Sequence, residues 1–388
     1  MPLRYGFRQV QRGSPLRIFV SVLAILALLA CAPRGNVVVD PAAAHIGAIE
    51  TVFVGSSRGA DTPGGDPYGS GRAGDLTYLR LDVSVPPDRR PGEIAFPPKS
   101  RKADPATDFV AADEGIYAGL PAFRSDLSRA LKARPRGQRE AVVFVHGFNN
   151  NFAEGTYRLA QLGHDLGLDG VLVHYSWPSK AHPLAYVYDR DSALFARDGL
   201  EELLNEVAAS GAERILLIAH SLGSHVVMET LRQSAIAGNS RVLGRISGVV
   251  LMSPDLDVDV FRFQARRIGE LPQPFVIFTS RKDRALSLSA RLTGRGERRL
   301  GNIETAAALA DLKVTVLDTT AFSVGGGHFN TATSPALLAL LGRIADVDRA
   351  FIRERAAHTG LLPGAILTFQ NATEIVLSPV VAITGLQN

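Results

Sequence analysis

Short apolar runs recur along the second two-thirds of the chain, and helical patterns separate several of them. The six runs are Ala141–His146, Val171–Ser176, Ile215–His220, Gly248–Ser253, Phe275–Ser280 and Val314–Leu317. A continuous apolar run of this length is typical of a strand that is buried on both faces of a sheet. Because these runs alternate with helices, such as the amphipathic pattern at Arg190–Ser210, the sequence predicts a mostly parallel, doubly wound α/β sheet.

Two further strand patterns lie nearer the N-terminus, at Thr51–Val54 and Leu76–Val85. The second alternates apolar and polar residues, which is typical of a strand with one face in solvent. A loop rich in Gly, Asp and Pro separates the two strands. These segments predict antiparallel strands ahead of the parallel sheet, and a helical pattern follows them at Leu120–Ala133.

The end of the chain has its own pattern. A helical segment begins at Ala345 and should stop before Pro363. Ala365–Phe369 and Glu374–Leu377 then predict a hairpin that turns at Gln370–Ala372. Nothing in these residues indicates a function.

The first 30 residues are typical of an export signal. Four arginines and no acidic residue accompany the apolar run Ile18–Ala30, which is too short to span a bilayer comfortably. Its end, Leu28–Cys31, resembles a bacterial lipobox, and Cys31 is the only cysteine. Lipidation of Cys31 is therefore favoured over a buried free thiol behind a plain signal sequence or short anchor helix. Ala32, in place of an inner-membrane retention aspartate, favours attachment to the outer membrane, facing the periplasm.

These patterns divide the chain into four parts. Residues 1–30 are the predicted lipoprotein signal peptide, and residues 31–48 form a tether. Residues 49–345 form one domain, which the apolar content of 46% can supply with a large core. Residues 346–388 form a C-terminal extension made of the predicted helix and hairpin.

The charge balance excludes a nucleic-acid partner. The formal net charge is +4, but the predicted signal peptide carries four of the basic residues and none of the acidic ones. The remainder of the chain is therefore neutral and has no basic excess that would bind phosphates. With a single cysteine, it also has no disulfide.

A serine stands between a strand pattern and a helix start, in the segment Ile218–Gly223. In a nucleophile elbow, the strand would end in a tight turn that exposes the Ser221 hydroxyl above a helix. Small residues are needed two positions on either side of the serine, because the turn brings neighbouring backbones close. They are Ala219 and Gly223 here, whereas glycine is usual at both places.

A nucleophilic serine needs a base and an acid that orients the base. In the α/β-hydrolase fold, these groups follow the serine in the order Asp or Glu and then His. His328 and His358 are the candidate bases downstream of Ser221, since His225 lies one helical turn beyond the serine and should point away. His328 is preferred because the preceding Gly325–Gly327 would let a loop reach the sheet edge.

Two aspartates remain open as the acid. Asp255 and Asp283 each follow a strand pattern, and most members of this fold place the acid after the later strand, which favours Asp283. Some lipases use the earlier strand, so Asp255 is the alternative. Asp255, Asp257 and Asp259 could also be considered as metal ligands, but they lack a paired histidine or an EF-hand spacing, and a cap or turn role is favoured.

Two backbone N–H groups should form the oxyanion hole. One belongs to Leu222, directly after the nucleophile. The other should come from the loop after an earlier strand, where the chain has His146–Asn149 behind an apolar run. The N–H of Phe148 is the expected second donor.

Several segments together resemble a bacterial family of α/β-hydrolases, catalogued as esterase/lipase-superfamily enzymes and as a domain of unknown function. They are Phe144–Asn150, Tyr175–Ser179, Tyr188–Ala193, Ala219–Gly223, Ser253–Asp257 and Asp283–Leu286. The resemblance spans roughly residues 51–335 and implies the α/β-hydrolase fold and a serine-hydrolase mechanism. It implies little about the substrate. Within it, Tyr188–Asp191 could line the substrate pocket, but capping of a helix that starts near Asp191 is favoured.

The sequence therefore predicts a carboxylic ester hydrolase, acting on an ester or thioester through an acyl-serine. Its expected partners are a small-molecule or lipid ester and, through Cys31, a membrane. No metal or organic cofactor is expected. An acyltransferase with the same triad is one alternative, and a tethered binding protein without turnover is another, although the presence of all three triad residue types argues against the latter.

Overall fold

The computed structural model describes residues 34–62, 68–98, 100–294, 299–322, 328, 333–334, 337–338, 364–369 and 372–377. The predicted signal peptide, Cys31 and the predicted C-terminal helix lie outside these residues. Within them, no helix is long and apolar enough to cross a membrane.

One mixed sheet of eleven strands runs through the described residues. The strands are β1 (Ala48–Gly59), β2 (Gly71–Val85), β3 (Val110–Ile116), β4 (Glu140–Val145), β5 (Val171–Ser176), β6 (Arg214–His220), β7 (Ile246–Met252), β8 (Phe275–Thr279), β9 (Val314–Asp318), β10 (Gly364–Phe369) and β11 (Ala372–Leu377). Their spatial order is β10-β11-β9-β8-β7-β6-β4-β5-β1-β2-β3. The strands from β11 to β1 in this order are parallel, whereas β2 is antiparallel to β1 and to β3, and β10 is antiparallel to β11.

Helices cover both faces of the sheet. They are α1 (Leu120–Lys132), α2 (Phe152–Leu166), α3 (Tyr186–Ala209), α4 (Gly223–Ile236), α5 (Ser240–Leu243), α6 (Val258–Ile268) and α7 (Arg284–Leu292). Apolar side chains of α1, α3, α4 and α6 join one buried core, and those of α2 join a second core on the other face. The predicted doubly wound α/β-hydrolase fold with N-terminal antiparallel strands is thereby confirmed.

The parallel strands place their carboxyl ends at the same edge of the sheet. The loops after β4, β5, β6, β7, β8 and β9 therefore meet there. Ligands of open α/β sheets bind at this edge. It is where the candidate site residues should be sought.

Some element boundaries differ from the sequence prediction. α3 begins at Tyr186 behind Ala185, which makes no side-chain cap, so the expected cap near Asp191 is wrong. β3 was not predicted, because its polar residues Asp113 and Glu114 interrupt the strand pattern. The structure has seven regular helices and eleven strands in its described part, and the extra strand lies at the edge of the sheet.

The segment predicted as a tether contacts the domain from residue 34 onward. Arg34 donates to the backbone carbonyl of Asn149 at 2.9 Å, and Asn151 donates to the Gly35 carbonyl at 2.6 Å. Residues 41–45 form a short 3₁₀ helix, capped by the Asp40 side chain. Arg34 and Gly35 therefore contact the loop that follows β4, whereas Asp40 pairs with β3, where its N–H donates to the Ala111 carbonyl at 2.8 Å.

Candidate active site

Ser221 lies where the chain passes from β6 into α4. Its φ is 52°, in the left-handed region that costs a residue with a Cβ about 1–2 kcal/mol. The Ser221 N–H donates to the Met252 carbonyl at 3.0 Å, and the Asp255 N–H donates to the Ser221 carbonyl at 3.1 Å. Backbone hydrogen bonds to the end of β7 and the following loop thus hold this strained residue in place.

Two glycines let this turn contact the loop after β4. A Cβ atom at Gly223 would lie 2.4 Å from the His146 carbonyl oxygen, and one at Gly147 would lie 2.9 Å from the Ser221 Cβ. Both distances are shorter than van der Waals contact, so a side chain at either position would push the two segments apart. Ala219 is fully buried, and the core accommodates its methyl group where glycine is usual.

The structure brings the predicted nucleophile, base and favoured acid together in one hydrogen-bonded chain. His328 Nε2 lies 2.9 Å from Ser221 Oγ, and His328 Nδ1 lies 2.8 Å from Asp283 Oδ2. Asp283 is fully buried, whereas the His328 side chain is 25% exposed. A hydroxyl in contact with an imidazole that is held by a buried carboxylate can pass its proton to that imidazole.

Asp283 is fixed by the helix that it begins. It is the N-cap of α7, and its Oδ1 accepts the Leu286 N–H at 3.0 Å. This bond orients the carboxylate so that the other oxygen faces His328. Asp283, between β8 and α7, therefore both caps the start of α7 and contacts the imidazole of His328.

Asp255, the alternative acid, has other partners. Its carboxylate accepts hydrogen bonds from the Tyr186 hydroxyl at 2.9 Å and from the Ser289 hydroxyl, and it lies 3.2 Å from Arg299 Nε. The Arg299 side chain is only 7% exposed, so a buried cation balances this carboxylate. His328 contacts the other aspartate, Asp283.

The neighbouring carboxylates also have structural partners. Asp257 is the N-cap of α6 and accepts the N–H groups of Asp259 at 2.9 Å and Val260 at 3.3 Å. Across the described ranges, no three His, Cys, Asp or Glu side chains are grouped so as to hold a metal ion. The cap that the sequence favoured over metal ligation is present at Asp257.

The expected oxyanion donors belong to two segments that contact Ser221. Leu222 is the next residue and the N-cap position of α4, whose N-terminus carries a partial positive charge. Phe148 follows Gly147, which lies against the serine. The Phe148 ring packs edge-on against Tyr186, with 5.4 Å between centroids.

Two further histidines are buried beside this arrangement. His146 stacks on Trp177 with 5.0 Å between ring centroids, and Trp177 Nε1 donates to the His146 carbonyl at 2.7 Å. The His220 ring lies 4.9 Å from that of His328. Burial lowers the pKa of both His146 and His220 well below the ordinary value. Both rings are therefore neutral at neutral pH.

Two further charged residues lie at this edge of the sheet. Arg58 of β1 is 1% exposed. Asp189 lies in the first turn of α3, where its carboxylate accepts the Ser179 hydroxyl at 2.5 Å and the Lys180 N–H at 2.7 Å. No role was predicted for Arg58, because a charged side chain in a strand of small and apolar residues is too common to indicate one. Asp189 belongs to the Tyr188–Asp191 segment, whose sequence was interpreted as pocket lining or a helix cap.

Residues 121–343, more than half of the chain, match the model of a family described as "Alpha/beta hydrolase of unknown function (DUF900)". No curated protein matches the chain significantly. Among solved structures, "Trichoderma reesei cutinase in complex with a C11Y4 phosphonate inhibitor" is similar at 15% identity, with 57% of this chain and 90% of the cutinase chain covered and a TM-score of 0.28. At that TM-score, the similarity supports no argument about this protein. The family match confirms the resemblance seen in the sequence: the chain belongs to this family of α/β-hydrolases of unknown function.

Proposed function

We propose that this protein is a serine hydrolase that cleaves carboxylic ester or thioester bonds through an acyl-serine intermediate. The observation that carries the proposal is the hydrogen-bonded chain of Ser221, His328 and Asp283, with contacts of 2.9 and 2.8 Å. This constellation activates serine hydroxyls on several unrelated folds. Membership of an α/β-hydrolase family supports hydrolysis as the class of reaction.

In the first half of the reaction, Ser221 Oγ attacks the carbonyl carbon while His328 Nε2 takes the hydroxyl proton. Asp283 accepts the Nδ1–H of His328, which keeps the Nε2 lone pair directed at the serine. The carboxylate also stabilises the positive charge that the imidazole acquires. The N–H groups of Phe148 and Leu222 hold the oxyanion, and loss of one such donor costs about 3–4 kcal/mol in the transition state.

The tetrahedral intermediate then collapses. The bond to the alcohol or thiol breaks, the leaving group takes the proton from His328, and the acyl group remains on Ser221. Water attacks this acyl-serine, His328 removes a proton from the water, and that proton returns to Ser221 Oγ as the carboxylic acid leaves. Each half of the cycle restores the neutral imidazole.

A fluorophosphonate probe tests the nucleophile, because it reacts covalently with activated serines. The wild-type protein should be labelled, and Ser221→Ala should lose all labelling and ester hydrolysis. Ser224→Ala is a matched control: Ser224 is a fully buried serine of α4, three residues further along, whose Oγ has no hydrogen-bond partner among the described residues. Labelling that persists in Ser221→Ala would show that another residue is the nucleophile.

Esters of graded acyl length, assayed with and without a soluble alcohol in excess, distinguish hydrolysis from acyl transfer. We expect free acid as the main product under both conditions. A product ester that predominates when alcohol is present would identify an acyltransferase. Absence of both turnover and labelling in the folded protein would favour a binding protein.

We also propose that the protein is held at the periplasmic face of the outer membrane by a lipid on Cys31. The support is the lipobox-like Leu28–Cys31, which contains the only cysteine of the chain. Cells fed a fatty-acid analogue should incorporate it into the wild-type protein and not into Cys31→Ser. Equal incorporation in both would exclude lipidation at this cysteine, and fractionation of the inner and outer membranes tests the location.

A further inference from the structure

Arg58 places a fully buried guanidinium beneath the loops of the active-site edge. A guanidinium has five N–H donors, and here each has an acceptor within 3.2 Å. The acceptors are Ser176 Oγ at 2.8 Å, Asn150 O at 2.9 Å, Ser179 O at 3.0 Å, Gly69 O at 3.2 Å and His146 Nε2 at 3.2 Å. His146 Nε2 accepts in the neutral tautomer whose Nδ1–H donates to the Gly147 carbonyl. All five N–H groups of the planar guanidinium are therefore hydrogen-bonded, and no other side chain has this arrangement of donors.

These acceptors come from three separate loops. His146 and Asn150 belong to the loop after β4, and Ser176 and Ser179 lie at the end of β5 and just beyond it. Gly69 lies in the connection between β1 and β2. Because β1 pairs in parallel with β5, Arg58 lies close to all three loops and ties them together.

One of these loops holds an expected oxyanion donor. Arg58 contacts residues 146 and 150, two positions before and two positions after Phe148. Between them, Gly147 lies against Ser221, and Asn149 adopts a φ of 58°. Asparagine tolerates this left-handed conformation better than most residues with a Cβ, but it still costs free energy that neighbouring contacts must offset. The two contacts of Arg58 enclose the segment that needs this support.

The charge of Arg58 is compensated nearby. Asp189 accepts hydrogen bonds from Ser179 and from the backbone of Lys180 and Asn149, and so holds the same two loops. Burial lowers the pKa of Arg58 to about 10, an effect that the Asp189 charge opposes. The side chain is therefore a cation at neutral pH. Burying a cation costs free energy. A neutral side chain would therefore be more stable here if the only requirement were to fill the space.

We infer that Arg58 is a positioning residue for the oxyanion hole, acting through residues 146–150 to direct the Phe148 N–H at the carbonyl oxygen of the substrate. This inference rests on the proposed function. It assigns to β1 a part in transition-state stabilisation, although β1 supplies none of the three triad side chains.

Arg58→Lys tests the inference, because lysine keeps the positive charge but has no planar guanidinium and two fewer N–H donors. Loss of a fixed oxyanion donor lowers turnover about 100- to 1000-fold, and we expect kcat on a soluble activated ester to fall by about 10- to 1000-fold while KM changes less than about threefold. The affinity for a boronic acid, whose serine adduct mimics the tetrahedral state, should fall in parallel with kcat/KM. Inhibition by the product carboxylic acid should change little.

Arg89→Lys is the matched control. The Arg89 side chain is 8% exposed, and that of its partner Asp165, near the end of α2, is 2% exposed. That helix has 15 residues, so its far end lies about 20 Å from the loop after β4. Arg89→Lys should lower stability but leave kcat per folded molecule and boronic acid affinity unchanged.

If Arg58→Lys does not fold, Ser176→Ala decides the matter, since it removes only the acceptor of Arg58 Nε. It should give a smaller loss of kcat and of boronic acid affinity with KM again nearly constant. A folded Arg58→Lys with kcat and boronic acid affinity within twofold of wild type would overturn the inference, as would an unaffected Ser176→Ala. Failure of the proposed function is distinguishable, because the wild-type protein would then show neither fluorophosphonate labelling nor turnover.

Discussion

Asp283 uses its two carboxylate oxygens for different contacts. Oδ1 accepts a backbone N–H at the start of α7, and Oδ2 faces His328. Asparagine caps helices about as well as aspartate does, but it is neutral and its amide does not reproduce a carboxylate facing His328. Substitution by asparagine therefore separates the orientation of His328 from the stability of α7.

Asp283→Asn should lower kcat by about 10⁴-fold, the loss that follows when a triad histidine takes the wrong tautomer. The free energy of unfolding should change by less than about 1 kcal/mol, because the helix cap is retained. Ester hydrolysis and urea denaturation of the same preparation check both expectations. A kcat within tenfold of wild type would mean that another group orients His328.

Asp255→Asn is the comparison, and it should show the opposite profile. It leaves Arg299 buried without its counter-charge, and breaking a buried ion pair costs about 3–5 kcal/mol. Stability should therefore fall strongly, while kcat per folded molecule falls far less than in Asp283→Asn. The reverse ranking of the two kcat values would make Asp255 the acid.

The single-residue predictions from sequence depended on local signals. Ser221 lies in a recognisable strand–helix turn, and His328 follows a glycine run. No local signal separates the two aspartates, because each follows a strand, and only the fold shows which one His328 contacts. No local signal indicated a role for Arg58, since its partners lie up to 121 residues further along the chain.

At the scale of whole elements, the C-terminal hairpin extends the sheet beside the strand that leads to His328. β11 pairs in parallel with β9, and β10 pairs with β11. Glu374 of β11 is 5% exposed, and its carboxylate accepts the Ala306 N–H at 2.9 Å and the Thr305 hydroxyl at 3.1 Å. One buried side chain thus links the hairpin to the segment that precedes β9.

Glu374→Ala should lower the free energy of unfolding by about 1–3 kcal/mol, because it leaves two inward-facing donors without this acceptor. Activity per folded molecule should not change. Glu304→Ala, at an exposed position two residues before Ala306, is the control and should change stability by less than about 0.5 kcal/mol. Equal effects of the two substitutions in chemical denaturation would show that the Glu374 contacts contribute nothing.

Burial explains which elements the sequence revealed. β4 to β9 lie inside the sheet with helices or core on both faces, so they are apolar throughout and stand out in the sequence. β3 is the last strand of the sheet, with a single bridge between Val39 and Ala111 on its outer side. It carries Asp113 and Glu114, as edge strands often do. The spatial order of the strands could not be predicted from the sequence, because no local pattern indicates which strands pair.

At the scale of the whole molecule, several buried neutral histidines should make the fold sensitive to acid. His174 has no exposed surface; burial, reinforced by the Arg58 charge, lowers its pKa from 6.5 to about 3. The unfolded chain therefore takes up a proton near pH 6.5 that the folded chain refuses until about pH 3. Stability is fully present above pH 6.5 and is lost as the pH falls, by about 1.4 kcal/mol per pH unit for this residue.

His174→Gln should reduce the dependence of unfolding free energy on pH by about one proton between pH 6 and pH 4. Urea denaturation across that range measures the slope. His45→Gln, at an exposed position, should keep the wild-type slope. If His174→Gln also keeps it, the acid sensitivity arises at other groups, of which His146 and His220 shift in the same direction.

The position of β1 within the sheet shows that the folded domain begins before the residues that match the family model. The family match begins at residue 121, in α1, after β1, β2 and β3. β1 nevertheless lies between β5 and β2, and its Arg58 contacts the loops after β4 and β5. A piece of chain cut at the start of the match would expose the unpaired side of β5 to solvent and to other chains. The parallel part of the sheet therefore extends, through β1, beyond the residues that match the family model.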